Sequence, residues 1–238
     1  MTTSLQRKFA FWAGLVAVPV GVGLLTRKRS SRFGAVAGGL TALGLAAVRW
    51  QLARLFTEEP AYEVEQRIGP LEIRRYNPHI EARTFVDSDD FDAALKDGFR
   101  RLARYIFGAN VKHEPLAMDA ATVAHHEKLA MTAPVITEAE GDHAYSIAFV
   151  MPAGRSLVTL PTPIDDGVTL GEVPERRVAV LRFAGERDAE HLLEHEDELL
   201  RRVREAGLVA HGVPIFAGFD PPTTLPFLRR NEVWVELV

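Results

Sequence analysis

Residues 88–107, SDDFDAALKDGFRRLARYIF, constrain the fold more than any other stretch of this chain. Phe91, Leu95, Phe99, Leu102 and Ile106 recur at spacings of three and four, which draws one apolar stripe along an α-helix. Asp89, Asp90 and Asp92 gather at its start and Arg100, Arg101 and Arg104 at its end, the order that the helix dipole favours. Ser88 or Asp87 can cap the first turn, and Gly108 can take the left-handed position past the last. Such a stripe needs an apolar sheet to cover it. A second helix is expected over 187–206, with Ala189, Leu192, Leu193, Leu199, Leu200 and Val203 on its apolar side and Gly207 at its end.

Strands flank each helix in the same order. Residues 61–76 read as strand with a turn at Gly69-Pro70, and 79–86 alternate, with Ile80, Ala82, Thr84 and Val86 on one side. Further strands are expected at 128–136, 144–151, 168–173, 177–183, 213–219 and 232–237. Residues 109–126 read as a loop with a helical turn at 118–124, and 153–167 and 220–230 as loops held by prolines. The pattern is strand-strand-helix-strand-strand, twice. Neither half hides its helix stripe and sheet face alone, so an α+β fold is expected in which two halves share one curved, barrel-like core with two helices outside.

The N-terminal quarter has a different composition. Eight of the 28 basic residues and none of the 32 acidic ones fall in residues 1–57. Within it, 9–25 (FAFWAGLVAVPVGVGLL) and 33–48 (FGAVAGGLTALGLAAV) carry no charge and are separated by TRKRSSR. Each is near the shortest length for a membrane-spanning helix. The chain therefore divides into a membrane-seeking leader or apolar helical hairpin at 1–57 and a folded domain at 58–238. Membrane contact through 9–25 and 33–48 and a membrane-associated location are expected, with the side of the folded domain open. The alternative is a signal sequence removed on export. The acidic balance of the folded part argues against general nucleic-acid binding. The absence of cysteine excludes disulfides, thiolate metal sites and a cysteine nucleophile.

Catalytic signatures are missing. No glycine-rich phosphate loop follows a strand, and neither HExxH nor GxSxG occurs. His191 and His195 are one turn apart on the second helix, but their side of it reads as solvated. His125-His126 precede the segment EKLAMTAPVITE (127–138), where Leu129, Met131 and Val135 read as one side of a strand interrupted by Pro134, and Met131 is a candidate for pocket lining. Arg229-Arg230-Asn231-Glu232 admits two readings. The arginines can clamp a ligand carboxylate, or pair with Glu232 while Asn231 caps the loop. Arg74-Arg75, before Tyr76, pose the same choice. No set of residues assembles into a reaction centre, so a binding protein is expected rather than an enzyme.

Six stretches, in order, span essentially all of 60–238: YEVEQRIGPLEIRRY (62–76), GFRRLARYIFGAN (98–110), KLAMTAPV (128–135), SIAFVMP (146–152), LRFAG (181–185) and LRRNEVWV (228–235). Together they resemble the SOUL haem-binding family. The resemblance implies a distorted eight-stranded antiparallel barrel with two helices, built as a pseudo-duplicated unit similar to bacterial effector-binding domains. It also implies reversible, non-covalent binding of haem or another tetrapyrrole in a hydrophobic cleft, without a reaction. Haem-ligating members carry a histidine directly before the tyrosine of the segment matching IRRY; this chain has Arg75 there. Arg74, Arg75, Arg229 and Arg230 are then candidates for the propionates, Tyr76 and Met131 for the ring's surroundings, and His79, His125 and His126 for substitute iron donors. Binding without the axial histidine is expected to be weak, five-coordinate or non-ligated. The alternatives are a module for another apolar or amphiphilic small molecule at a membrane, and a structural or interaction protein whose cleft its own side chains close. No protein partner is indicated.

Overall fold

The two strand-helix repeats appear in the computed structural model, which describes residues 57–112, 126–141, 143–221 and 223–238. The first repeat supplies β2 (Leu71–Tyr76), β3 (His79–Asp87), α1 (Phe91–Ile106), β5 (Val135–Ala139) and β6 (Ala144–Val150). The second supplies β8 (Val168–Val173), β9 (Arg176–Phe183), α2 (Ala189–Glu205), β10 (Ala210–Gly218) and β11 (Asn231–Leu237). β1 (Tyr62–Ile68) precedes them, and β4 (Asn110–Val111) and β7 (Thr162–Pro163) form a separate two-stranded ribbon.

The main sheet has nine strands in the order β1-β2-β9-β11-β10-β5-β6-β3-β8, paired antiparallel throughout. Read inward from one side it runs β2-β9-β11-β10; from the other, β8-β3-β6-β5. The halves are thus related by a pseudo-twofold passing between β5 and β10. Each half lends its first strand to the second strand of the other, so neither repeat is a complete sheet without its partner.

The expected distorted eight-stranded barrel is corrected to an open, curled nine-stranded sheet. Gly69, at φ 59°, turns the chain so that β1 folds back on β2 as an extra strand. β1 and β8 remain as the two edges. Both helices lie on one face. α1 packs on β3 and β6, with Ala82, Ile147 and Phe149 beneath it, and α2 on β9, β10 and β11, with Ala179, Leu181, Phe216, Val233 and Val235 beneath. The alternate residues point the other way. Tyr76, Ile136, Ala148, Val150, Val178, Val180, Ile215, Ala217 and Trp234 form a third buried cluster with no helix over it. The curl of the sheet covers this cluster, so the space between the two halves is filled by the protein's own side chains.

Local chemistry explains the helix boundaries. Asp90, rather than Ser88 or Asp87, caps α1 by accepting from the N–H groups of Asp92 and Ala93. Its buried line runs through Phe91, Ala94, Gly98, Leu102, Tyr105 and Ile106. A Cβ on Gly98 would stand 2.7 Å from Ile147, so glycine lets α1 approach β6 closely.

The segment 127–138 departs from the expected strand. The Leu129 N–H donates to the Ile106 carbonyl, the Ala133 N–H to that of Glu58, and Pro134 has none to give. A ladder therefore begins only at Val135. Leu129 is buried while Met131 is 42% exposed, so they do not share the expected strand face.

The expectation of a transmembrane helix, a membrane partner and a membrane location is withdrawn. Among the described residues no helix is long and apolar enough to cross a membrane, and the stretches 9–25 and 33–48 lie outside the described residues. The expected helical hairpin, the helical turn at 118–124 and His125 lie outside them too.

Candidate functional site

At one end of the curled sheet the strands stop around a cleft of about 650 Å³. The start of β3 gives Asn77, Pro78, His79 and Ile80; the end of β6 and the loop after it give Val150, Met151 and 152–156; the end of β8 gives Glu172, Val173 and Pro174. Thr132 and a short strap, Glu58–Glu59–Pro60–Ala61, complete the wall. The volume falls within the roughly 300–1,000 Å³ range of small-molecule pockets. Proline, valine, isoleucine and methionine side chains make much of the wall apolar, and the charges are confined to a few positions.

The strap is held on four sides. The Glu58 carbonyl accepts from the Ala133 N–H at 2.9 Å, and its carboxylate from the Ala153 N–H at 2.6 Å. Both carboxylate oxygens of Glu59 accept from Arg230 Nη1, at 2.9 and 3.0 Å. The Ala61 carbonyl accepts from the Asn77 N–H at 3.0 Å. On the loop after β6, Arg155 pairs with Glu127.

Two polar clusters lie on the helix-free face behind the cleft. In the first, the fully buried Glu232 carboxylate accepts four hydrogen bonds: from Arg74 Nη1 and Nη2 at 2.8 and 3.2 Å, Arg230 Nε at 2.9 Å and Trp234 Nε1 at 2.8 Å. Arg74 also reaches the Tyr76 hydroxyl and Glu72. Burial alone would lower the guanidinium pKa of Arg74; Glu232 and Tyr76 beside it more than reverse that. Burial pushes the Tyr76 phenol upward. The second cluster centres on Glu81, which is 2% exposed. It accepts from Arg83 Nη2 at 2.9 Å and lies 3.1 Å from His79 Nε2, with Arg176 Nη2 farther off at 3.8 Å. Burial would raise its pKa; His79, Arg83 and Arg176 outweigh that and hold it below the usual carboxylate range.

These placements sort the sequence candidates. Arg74, Tyr76 and Arg230 come together around Glu232, one layer behind the cleft, while His79 is on the cleft wall. Arg75 shares the opposite face of β2 with Leu71 and Ile73, is exposed, and pairs with Glu65 and Glu175. Arg229 pairs with Glu186 and donates to the Thr224 carbonyl. Met131 projects outward beside the cleft residue Thr132. His126 Nδ1 lies 2.7 Å from the Asn110 carbonyl and fastens a loop rather than facing the cleft. His79 Nδ1 lies 3.0 Å from the Asn77 carbonyl and its Nε2 3.1 Å from Glu81, so each ring nitrogen has an oxygen of the protein beside it. Among the described residues no group of three or more His, Cys, Asp or Glu could hold a metal ion.

Sequence reasoning missed the strap, Met151 and the 152–156 loop. One signal for the strap was present: Glu58 and Glu59 are the first acidic residues of the chain and stand beside Pro60. Nothing local announced that this segment would meet Arg230, 171 positions away.

Residues 57–236 match the profile of a family described as SOUL heme-binding protein. Two curated relatives are both named heme-binding protein 2. The human one is 30% identical over 189 residues, covering 75% of this chain and 85% of its own, and the mouse one is 29% identical over 184 residues, covering 73% and 80%. Among solved structures, the C-terminal domain of EcmrR superposes with a TM-score of 0.51 at 13% identity, over 74% of this chain and 98% of that one, a likeness of fold alone.

Proposed function

The chain belongs to the SOUL heme-binding protein family, and from that premise we propose that residues 58–238 bind haem or a related tetrapyrrole non-covalently and without reaction, in the cleft at the end of the sheet. The observation that carries this reading is an open, mostly apolar cleft of about 650 Å³ in a chain of this family. Burying a flat aromatic ring there is favourable at about 25 cal/mol per Å² of apolar surface.

The residues present fit the ring better than they fit the iron. Pro60, Ile80, Val150, Met151 and Val173 offer apolar walls. A tetrapyrrole supplies a broad apolar face and, in haem, two carboxylates and a Lewis-acidic iron. His79 is the histidine nearest to hand, yet both its nitrogens are engaged, and Arg75 stands where haem-ligating relatives carry their histidine. Capture of the ring by its faces and edges, rather than by a strong axial bond, follows from this donor set.

Titration with ferric haem tests the proposal. A saturable shift of the Soret band with one equivalent bound is expected at micromolar protein, and a non-saturable spectrum would contradict it. A second reading, a module for another apolar or amphiphilic molecule, is favoured by the protein oxygens beside both His79 nitrogens. A colourless apolar ligand that binds more tightly than haem and competes it out of the cleft would select it.

A further inference from the structure

Arg230 carries two carboxylates, and they differ in one respect. Glu232 is fully buried within β11 and is held by Arg74 and Trp234 as well, so it cannot leave without stranding other donors. Glu59 stands on the strap, outside the nine-stranded ladder, and is one of the residues that line the cleft. Both its oxygens are on Arg230 Nη1. The guanidinium is fixed from below: it lies 3.7 Å over the Phe219 ring, and its Nε and Nη2 stay with Glu232. Glu59 therefore occupies a preformed carboxylate seat on Arg230, which does not itself line the cleft and becomes reachable from it only when Glu59 moves.

We propose that Glu59 is an internal competitor for a ligand carboxylate, which takes its place on Arg230 and displaces the strap 58–61. The inference rests on the reading of the cleft as a tetrapyrrole site. The exchange keeps the number of ion pairs constant. Arg230, half-buried and still paired with Glu232, passes from one carboxylate to another and at no point loses an anion without gaining one. The strap gives up the Glu59 pair and three hydrogen bonds, from Ala133, Ala153 and Asn77. These are peripheral contacts that water can replace at modest cost. A ligand without a carboxylate lacks the group that displaces Glu59, so the strap sets a preference for acid-bearing rings over their esters.

The test compares haemin with haemin dimethyl ester on the full chain and on its Glu59→Gln and Arg230→Met variants, read by Soret titration. Hydrogen exchange at the Ala133 and Ala153 amides, which donate to Glu58, reports strap release independently of affinity. Glu59→Gln is expected to tighten haemin about five-fold, leave the ester unchanged, and speed exchange at both amides before ligand is added. Arg230→Met is expected to abolish the preference for the acid. Haemin added to the unaltered chain should release the same amides. Haemin bound with equal affinity by the unaltered chain and Glu59→Gln, or amides that stay protected when it binds, would overturn the inference while leaving the cleft reading intact. Failure of both ligands to bind any of the three proteins would remove the reading itself and the inference with it.

Discussion

Glu232 and Glu81 are the same device built twice: a buried carboxylate on the helix-free face, flanked by arginines. They differ in how completely each is satisfied. Glu232 takes four hydrogen bonds from three residues and sits in the middle of the sheet. Glu81 takes a hydrogen bond from Arg83 and another contact from His79, with Arg176 at a looser 3.8 Å, and its neighbour His79 is on the cleft wall. The saturated cluster fixes the joint between β2 and β11, which are not adjacent in the sheet. The looser one borders the site where the chain can meet a ligand. Each cluster reaches the cleft through a single residue, Glu59 in one case and His79 in the other. The contrast separates the polar groups that hold the fold from those positioned to answer to a ligand.

The largest effect that would test this contrast is at Glu232. Glu232→Ala leaves the buried Arg74 and the half-buried Arg230 without their shared anion and is expected to cost about 3–5 kcal/mol, measured by urea unfolding. A loss below 1 kcal/mol would make the two clusters equivalent.

Glu81 comes next. Glu81→Gln is expected to cost about 1–3 kcal/mol near neutral pH, because Arg83 is only part-buried and water can attend it. The sign of its pH dependence follows from the lowered folded-state pKa. The contribution is complete above the ordinary carboxylate range and is lost as pH falls through the depressed folded value. The gap between the unaltered protein and Glu81→Gln should therefore close in acid; a gap that widens there would reverse the assignment.

His79→Ala is the smallest. It removes one contact to Glu81 and is expected to cost about 0.5–1 kcal/mol, with the spectrum of bound haem unchanged. A selective loss of the Soret shift would show that the imidazole leaves Glu81 to meet the iron.

Much of this architecture was legible in the residues. The spacing of Phe91, Leu102 and Ile106 located α1, and the repeated strand-helix order located the two halves. Even so, the buried line of α1 runs through Ala94 and Gly98, which a hydrophobicity pattern undervalues, because Gly98 is chosen for its lack of a Cβ against Ile147. The ninth strand was visible only as a Gly69-Pro70 bend, since hairpin return and simple kink look alike until the partner strand is known. In sequence the arginine pairs Arg74-Arg75 and Arg229-Arg230 are open to two readings. Strand alternation separates Arg74 from Arg75, but only tertiary pairing across 158 positions seats Arg74 on Glu232. The cleft was the least legible part, because its wall is assembled from strand ends and a strap far apart in sequence.

The most direct test of the central claim fills the cleft and asks whether the ring is excluded. Ala153 is exposed on the cleft wall in the loop after β6, so a large side chain there narrows the cleft whether or not the strap moves and is remote from the buried clusters in sequence. Ferric haem titrated into the unaltered protein and into Ala153→Trp should give saturable binding to the first and an affinity at least about ten-fold weaker for the second, a difference of about 1.4 kcal/mol. Equal affinity for the two proteins would place the ring elsewhere and contradict the account.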